Sequence, residues 1–351
     1  MYTGKNIKKG NNITRYKTLV IFILIIVVIT IAISGCFEMS EENALGLTQL
    51  HLDTHCTIII HGGGTRAEVT KLLDEAFDII SDFEKIFSIT VQDSDVWRIN
   101  HAGGEPVTVS EHTIKVIRTG IVFGELSDGL FDISIGRLSR LWRFGIDPYI
   151  PTLSEIDFAN ETVDFRNIVI DGNTVQLKNP DTWIDLGAIA KGYIADQVGD
   201  FLREKDIVGA VINLGGDIVT VGTRLDEELW RVAVRDPKAG SDELIGVIDT
   251  KEATIISSGL YERMFVIDNR TYHHILDPRS GMPVITDLVS VTLVANNALV
   301  GEALSTTALL VGSEKAIEIL EQTEGFRGGI LILSDGKIIK VGDIRWLPDE
   351  E

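Results

Sequence analysis

The octapeptide DLGAIAKG, Asp185–Gly192, decides how this chain folds. An acid, a glycine and small apolar residues run straight into helical periodicity. Ala190, Ile194, Val198, Phe201 and Leu202 recur at helix spacing and predict a helix over 188–205 with one buried face. A strand ending at Ile184 delivers Asp185 to its edge, and Gly187 permits a tight turn. The helix start then offers unpaired N–H groups and a positive dipole end. Upstream, a strand is expected over His51–His61. Helices follow over Arg66–Phe87, with Val69, Leu72, Leu73, Ala76, Ile80, Phe83 and Phe87 at helix spacing, and over Glu111–Leu126, with Ile114, Ile117, Ile121 and Val122 inward. Asp171-Gly172-Asn173 splits two short strands, 168–170 and 174–177, as a hairpin turn does. Downstream, strands are expected over 210–214, 217–222, 230–235, 244–249, 264–268 and 290–295. Helices return over 300–311 and 314–322, before a last hairpin at Ser334-Asp335-Gly336. Strands clustered between helices favour an α+β fold with mostly antiparallel sheet.

The chain has 351 residues, 44% of them hydrophobic, enough to bury a real core. Its first 35 residues differ from the rest. Lys5, Lys8, Lys9, Arg15 and Lys17 precede the apolar run Leu19–Ile33, and no acid appears before Glu38. That is the pattern of a secretory n-region and h-region. Ile33-Ser34-Gly35-Cys36 resembles a lipobox, so cleavage would leave Cys36 as a lipidated N-terminus; an uncleaved anchor is the alternative, since 18–36 approaches the ~20 residues that span a bilayer. Either way the basic flank stays cytoplasmic and the body faces outward. Residues 36–47 read as an acidic, pattern-free tether, and 48–347 as one domain. The net charge is −20, and the five basic residues of the leader offset part of it, so the body is a poor binder of nucleic acid. Cys56 is the only cysteine besides Cys36, which excludes an intrachain disulfide framework; it reads as a small buried hydrophobe.

Further motifs accompany the first: GLFDISIG at Gly129–Gly136, NLGGD at Asn213–Asp217, SSGLYERMF at Ser257–Phe265, HHILDPRSG at His273–Gly281 and GEALSTTALL at Gly301–Leu310. In order and spacing this set resembles the FAD:protein FMN transferases, the ApbE family. The resemblance implies two lobes around a cleft, with FAD and magnesium used to attach FMN through a phosphoester to a Thr or Ser of a partner protein. The implied acceptors are exported flavoproteins, such as subunits of ion-pumping flavin oxidoreductases.

Breaking a pyrophosphate calls for a cation and for donors aimed at its oxygens. By resemblance, Asp185 and Lys191 contact FAD and the Ala188 carbonyl ligates magnesium, which takes oxygen ligands. Glu302, Ser305 and Thr306 stand at i, i+3 and i+4, so a carboxylate and two hydroxyls share a helix face and complete the metal set. The family normally has Asp where Glu302 stands. His274 is implied to lie beside the phosphates, where an imidazole suits general-base work on the acceptor hydroxyl. Asp277 either orients His274 or joins the metal, and the residues leave both open. Leu130, Phe131 and Asp132 match the segment lining the flavin, with Leu276 beside it. Thr90 and Leu52 stand where an aromatic and a Met are usual, which removes bulk next to the cofactor. Asn213–Asp217 reads as a structural turn.

Gly62-Gly63-Gly64-Thr65-Arg66-Ala67 also fits the glycine pattern of dinucleotide-binding units. No second buried strand ending in an acid follows it, so it reads as a plain loop. Three rivals to the transferase stay open: an FAD pyrophosphatase on the same site, a non-catalytic flavin-binding lipoprotein, and an oxidoreductase built on that loop.

Overall fold

The computed structural model describes residues 44–145, 147–226, 228–238 and 243–349. The leader, Cys36 and most of the expected tether lie outside them. Among the described residues no helix is long and apolar enough to cross a membrane.

In chain order, β1 (Ala44–His51) and β2 (Thr54–His61) form a hairpin, followed by α1 (Arg66–Phe87) and α2 (Asp95–His101). Then come β3 (Val107–Thr108), α3 (Glu111–Leu126), α4 (Gly136–Trp142), α5 (Leu153–Asn160), β4 (Ile168–Asp171) and β5 (Thr174–Leu177). Helix α6 (Ala190–Arg203) leads to β6 (Gly209–Leu214), β7 (Asp217–Gly222), β8 (Trp230–Arg235), β9 (Leu244–Thr250) and β10 (Thr254–Gly259). Short strands follow: β11 (Met264–Ile267), β12 (Arg270–His273), β13 (Leu276–Asp277) and β14 (Met282–Pro283). The chain closes with β15 (Leu288–Ala295), α7 (Ala298–Val311), α8 (Ser313–Gln322), β16 (Phe326–Leu333), β17 (Ile338–Gly342) and β18 (Arg345–Pro348).

Eight strands make the main sheet in the order β1-β2-β6-β7-β10-β15-β16-β17, every pair antiparallel. The α+β, mostly antiparallel architecture is therefore as expected. Helix α7 packs on β10 and β15 on one side and on α6 and α3 on the other. It is buried nearly all round, as a helix without a polar stripe must be. Helix α1 starts at Thr65, whose hydroxyl accepts the Glu68 N–H while Glu68 reaches back to the Thr65 N–H. The glycine loop is thus a helix entry, and β2 before it pairs antiparallel with β6, not in a parallel unit.

Three expectations change. The strand over His51–His61 is the second arm of a hairpin whose first arm, β1, takes in Ala44–Leu47, so the ordered domain begins before residue 48. The segment ending at Ile184 is no strand of its own; a lone bridge from Trp183 to Ile135 and the Asn100 side chain hold it extended. Asn100 donates to the Ile184 carbonyl and accepts its N–H, at 2.8 and 2.7 Å, replacing a neighbouring strand. Val122 faces solvent, and Phe123 is the inward residue of that helical turn.

Candidate active site

Three segments, α6, α7 and β7, meet at the end of the main sheet where β6 turns into β7. Lys191, in the first turn of α6, donates to Glu302 Oε1 on α7, and its Nζ lies 2.8 Å from Asp217 Oδ2 on β7. The Gly192 N–H donates to Glu302 Oε2 at 2.6 Å. Helix α6 has no side-chain cap of its own at Ile189, so Glu302 acts as its cap from a neighbouring helix. Asp196 of α6 returns the favour, accepting the Ala298 and Leu299 N–H groups at the start of α7 at 2.7 and 3.0 Å. This reciprocal capping needs close helices. A Cβ on Gly192 would sit 2.2 Å from the Ala298 carbonyl oxygen, so only glycine fits there.

The capping leaves oxygens free. Because the Gly192 N–H points to Glu302, no backbone N–H donates to the Ala188 carbonyl among the described residues. The Thr306 side chain is 9% exposed, and its hydroxyl has no hydrogen-bond partner among the described residues. Asp217 Oδ2 is buried and within ion-pair distance of Lys191 but outside hydrogen-bond geometry. Ser305 differs: its hydroxyl donates to the Glu302 carbonyl at 3.0 Å and meets Ser258 Oγ of β10 at 2.7 Å, so it is already engaged. Carboxylate, carbonyl and hydroxyl oxygens with unused lone pairs fit a hard divalent cation such as magnesium.

Two carboxylates and one ammonium leave the cluster one net negative charge. Burial pushes the Glu302 carboxyl up to about 7 against the pull of Lys191, with Asp217 adding repulsion. Burial likewise raises Asp217, opposed by Lys191. Burial alone would lower Lys191, but the two carboxylates more than reverse it and hold the ammonium charged. Asp217, read from sequence as a turn residue, is thus part of the cluster.

His274 follows β12. Its N–H donates to the Arg263 carbonyl at 3.0 Å, and Nδ1 lies 3.2 Å from the same oxygen. A carbonyl only accepts, so Nδ1 carries the proton and Nε2 keeps its lone pair. Burial, then the nearby Arg263 guanidinium, lowers the His274 pKa to about 4, so the ring is neutral at physiological pH. Asp277 does not orient it. Its carboxylate accepts the Arg279 N–H at 2.8 Å and the Ser280 hydroxyl at 3.3 Å, fixing the turn between β13 and β14.

The residues expected around the flavin divide. Leu52 sits in the β1–β2 turn at φ 54°, its N–H held by Glu84 of α1 at 2.8 Å. Thr90, just past the end of α1, is exposed. Asp185 is half-buried and accepts the Ser139 hydroxyl at 2.7 Å and the Gly187 N–H at 2.9 Å. Leu130 is half-buried against the main core. Phe131 packs inside that core against Phe123. Asp132 is buried too; Oδ1 accepts the Ser134 N–H and hydroxyl and Oδ2 the Phe165 N–H, all within 2.9 Å. Leu276 belongs to a small apolar cluster with Leu138 and Trp142. Gly136 ends the same motif, its N–H on the Trp183 carbonyl, where a Cβ would come within 2.8 Å of that oxygen. The Gly129–Gly136 motif therefore braces the segment carrying Asp185. Nearby, a cavity of about 250 Å³ under Gly129 and Arg279 is lined by none of Lys191, Asp217, His274 or Glu302.

An antiparallel α+β domain with a lysine-bridged carboxylate pair at one sheet end, and a neutral histidine on a neighbouring loop, has the make-up of a phosphoryl-transfer site. The chain belongs to the ApbE family, whose profile matches residues 52–328. It is 36% identical over 257 residues to the FAD:protein FMN transferase of Klebsiella pneumoniae (strain 342), covering 72% of this chain and 79% of that protein. Its fold matches the ApbE protein of Thermotoga maritima MSB8 with a TM-score of 0.77 at 30% identity, over 85% of this chain and 97% of that one. The flavin transferase ApbE from Vibrio cholerae matches with a TM-score of 0.75 at 27% identity, over the same shares.

Proposed function

We propose that this chain transfers FMN from FAD to a Thr or Ser hydroxyl of a partner protein, releasing AMP. The observation that carries the reading is the Lys191–Glu302–Asp217 cluster at the start of α6, in a chain whose curated relatives are FAD:protein FMN transferases. Lys191 supplies an ammonium for a pyrophosphate oxygen, and a bound cation would offset the two carboxylates beside it. The Ala188 carbonyl, Glu302 and Thr306 would hold magnesium, which when bound supplies charge to the phosphate oxygens. His274 Nε2 takes the proton from the acceptor hydroxyl as that oxygen forms its bond to the FMN phosphorus. The bond from that phosphorus to the AMP oxygen breaks, and AMP leaves with the electron pair. The neutral ring with its proton on Nδ1 leaves Nε2 free to accept a proton, although its lowered pKa makes it a weaker base than a free imidazole.

The basic leader and Cys36 support an exported, membrane-tethered enzyme acting on exported flavoproteins. Cys36→Ala should block lipidation, and an intact mass of the extracted protein that starts at unmodified Met1 would reject the lipobox. For the activity, the purified protein is incubated with FAD, Mg²⁺ and an acceptor carrying a Thr. Acceptor heavier by FMN supports the transferase. Free FMN with AMP indicates a pyrophosphatase, and unchanged FAD a binding protein.

A further inference from the structure

Asp217 has a buried carboxylate with no assigned task, and its surroundings specify one. Its side chain is 3% exposed, as is that of Glu302, and both acids reach the same Lys191 ammonium. It opens β7 just after the tight Gly215-Gly216 turn, whose Gly216 N–H is held by Asn213 Oδ1 at 2.8 Å and Gly215 N–H by the His55 carbonyl. The turn is thus fixed without any help from the Asp217 side chain. A purely structural acid would find backbone donors, as Asp196 does. Asp217 Oδ2 instead has no hydrogen-bond donor in proper geometry and faces an ammonium shared with a second carboxylate. Burying such a charge half-paired is costly, which is tolerable where a further cation shares it.

We infer that Asp217 is a second carboxylate of the divalent-cation site: with Lys191 it sets the charge that Glu302 offers to the metal. The inference rests on the proposed reaction's cation being held at Glu302. Lys191 competes with a cation for Glu302 Oε1. Asp217 gives the ammonium another partner 2.8 Å away, so that Glu302 is released to the metal while Lys191 stays at the pocket. Affinity then follows local charge. With both acids ionised, as a bound cation favours, the native cluster carries one net negative charge, Asp217→Asn none, Lys191→Met two, and the double variant one. Glu262, whose carboxyl burial raises to about 7, and Arg263 stand nearby and are unchanged throughout.

The test is Mn²⁺ binding to the full chain in detergent without flavin, read by electron paramagnetic resonance, with thermal unfolding measured alongside. Asp217→Asn should weaken Mn²⁺ about tenfold with no loss of melting temperature. Lys191→Met should tighten it by a similar factor, and the double variant should lie within about threefold of wild type; tenfold corresponds to ~1.4 kcal/mol. Wild-type Mn²⁺ affinity in Asp217→Asn, with affinity lost in Glu302→Gln, overturns the inference and spares the reaction. Wild-type affinity in Glu302→Gln as well removes the cation site from this cluster altogether. Should Asp217→Asn fail to fold, Lys191→Met applies the same charge rule from the other side, and failure of that variant to tighten Mn²⁺ also overturns it.

Discussion

Asp132 and Asp217 are both buried aspartates at the entrance of a structural element, and each lies in a glycine-bearing motif. Their partners separate them. Asp132 receives three neutral donors, the Ser134 N–H and hydroxyl and the Phe165 N–H, which satisfy it and tie Gly129–Gly136 to the chain at 165. Asp217 receives a shared ammonium and faces a second carboxylate, and it ends without a well-aligned donor. A buried acid closed by neutral donors holds a fold together. One left half-paired against a charge holds something ready for a substrate.

The largest effect should come from Glu302. Glu302→Gln keeps the shape but removes the charge, and FMN transfer should fall by about 10²-fold or more while the melting temperature holds, because a costly buried charge is gone. Glu302→Asp should retain activity, being the usual family ligand. Steady-state transfer to a Thr acceptor measures both.

His274→Ala should slow transfer by ~10²–10⁴-fold while FAD still binds. His273→Ala sharpens the contrast. The ring of His273 is buried, so its loss should lower stability on the order of 2 kcal/mol by leaving a cavity, visible as a lower melting temperature with transfer retained in the folded protein.

The pH dependence follows from His274. An unperturbed ring would protonate near ~6.5, but burial and Arg263 bring it to about 4. The base therefore stays neutral down to that value, so the acid limb it imposes on transfer in the free enzyme lies well below 6. The stability sign is the same. His274 contributes its full share above the unfolded value, and that share is lost as pH falls from there toward 4. An NMR titration of the ring protons reads the value directly; a midpoint near 6.5 would show the ring to be unperturbed.

Helix periodicity was readable over long stretches: α1 and α3 begin and end at the residues their patterns indicate. The β1–β2 hairpin was not. Its turn is Leu52-Asp53, both at positive φ with no glycine or asparagine to signal it, and β1 is a sheet edge whose alternation is weak. Of the site, Lys191 and Glu302 were visible through motif order, and spacing alone put Glu302 and Thr306 on one helix face. Asp217 was not, since its partner lies on α6 and only the packing of α6 on β7 joins them. The motif that carries Phe131 and Asp132 did not say which way they face: Phe131 turns into the core, and Asp132 is held by three donors at the edge of the cavity under Gly129.

The smallest effect should be at Thr90. Exposed, and among the described residues hydrogen-bonded only to the neighbouring Ser88, it should tolerate Ala within about 0.5 kcal/mol of stability. Thr90→Tyr, restoring the family's usual aromatic, should tighten FAD a few-fold by fluorescence quenching.

The contrast between the two aspartates is tested most directly by measuring transfer rate and melting temperature together for Asp132→Asn and Asp217→Asn. Asp132→Asn should lower stability by about 1–3 kcal/mol, since buried donors lose their acceptor, and leave the rate of the folded enzyme within a few-fold of wild type. Asp217→Asn, assayed at limiting Mg²⁺, should lose about tenfold in rate and keep its melting temperature. The reverse pattern, an inactive but stable Asp132→Asn beside an unstable but active Asp217→Asn, would contradict the account.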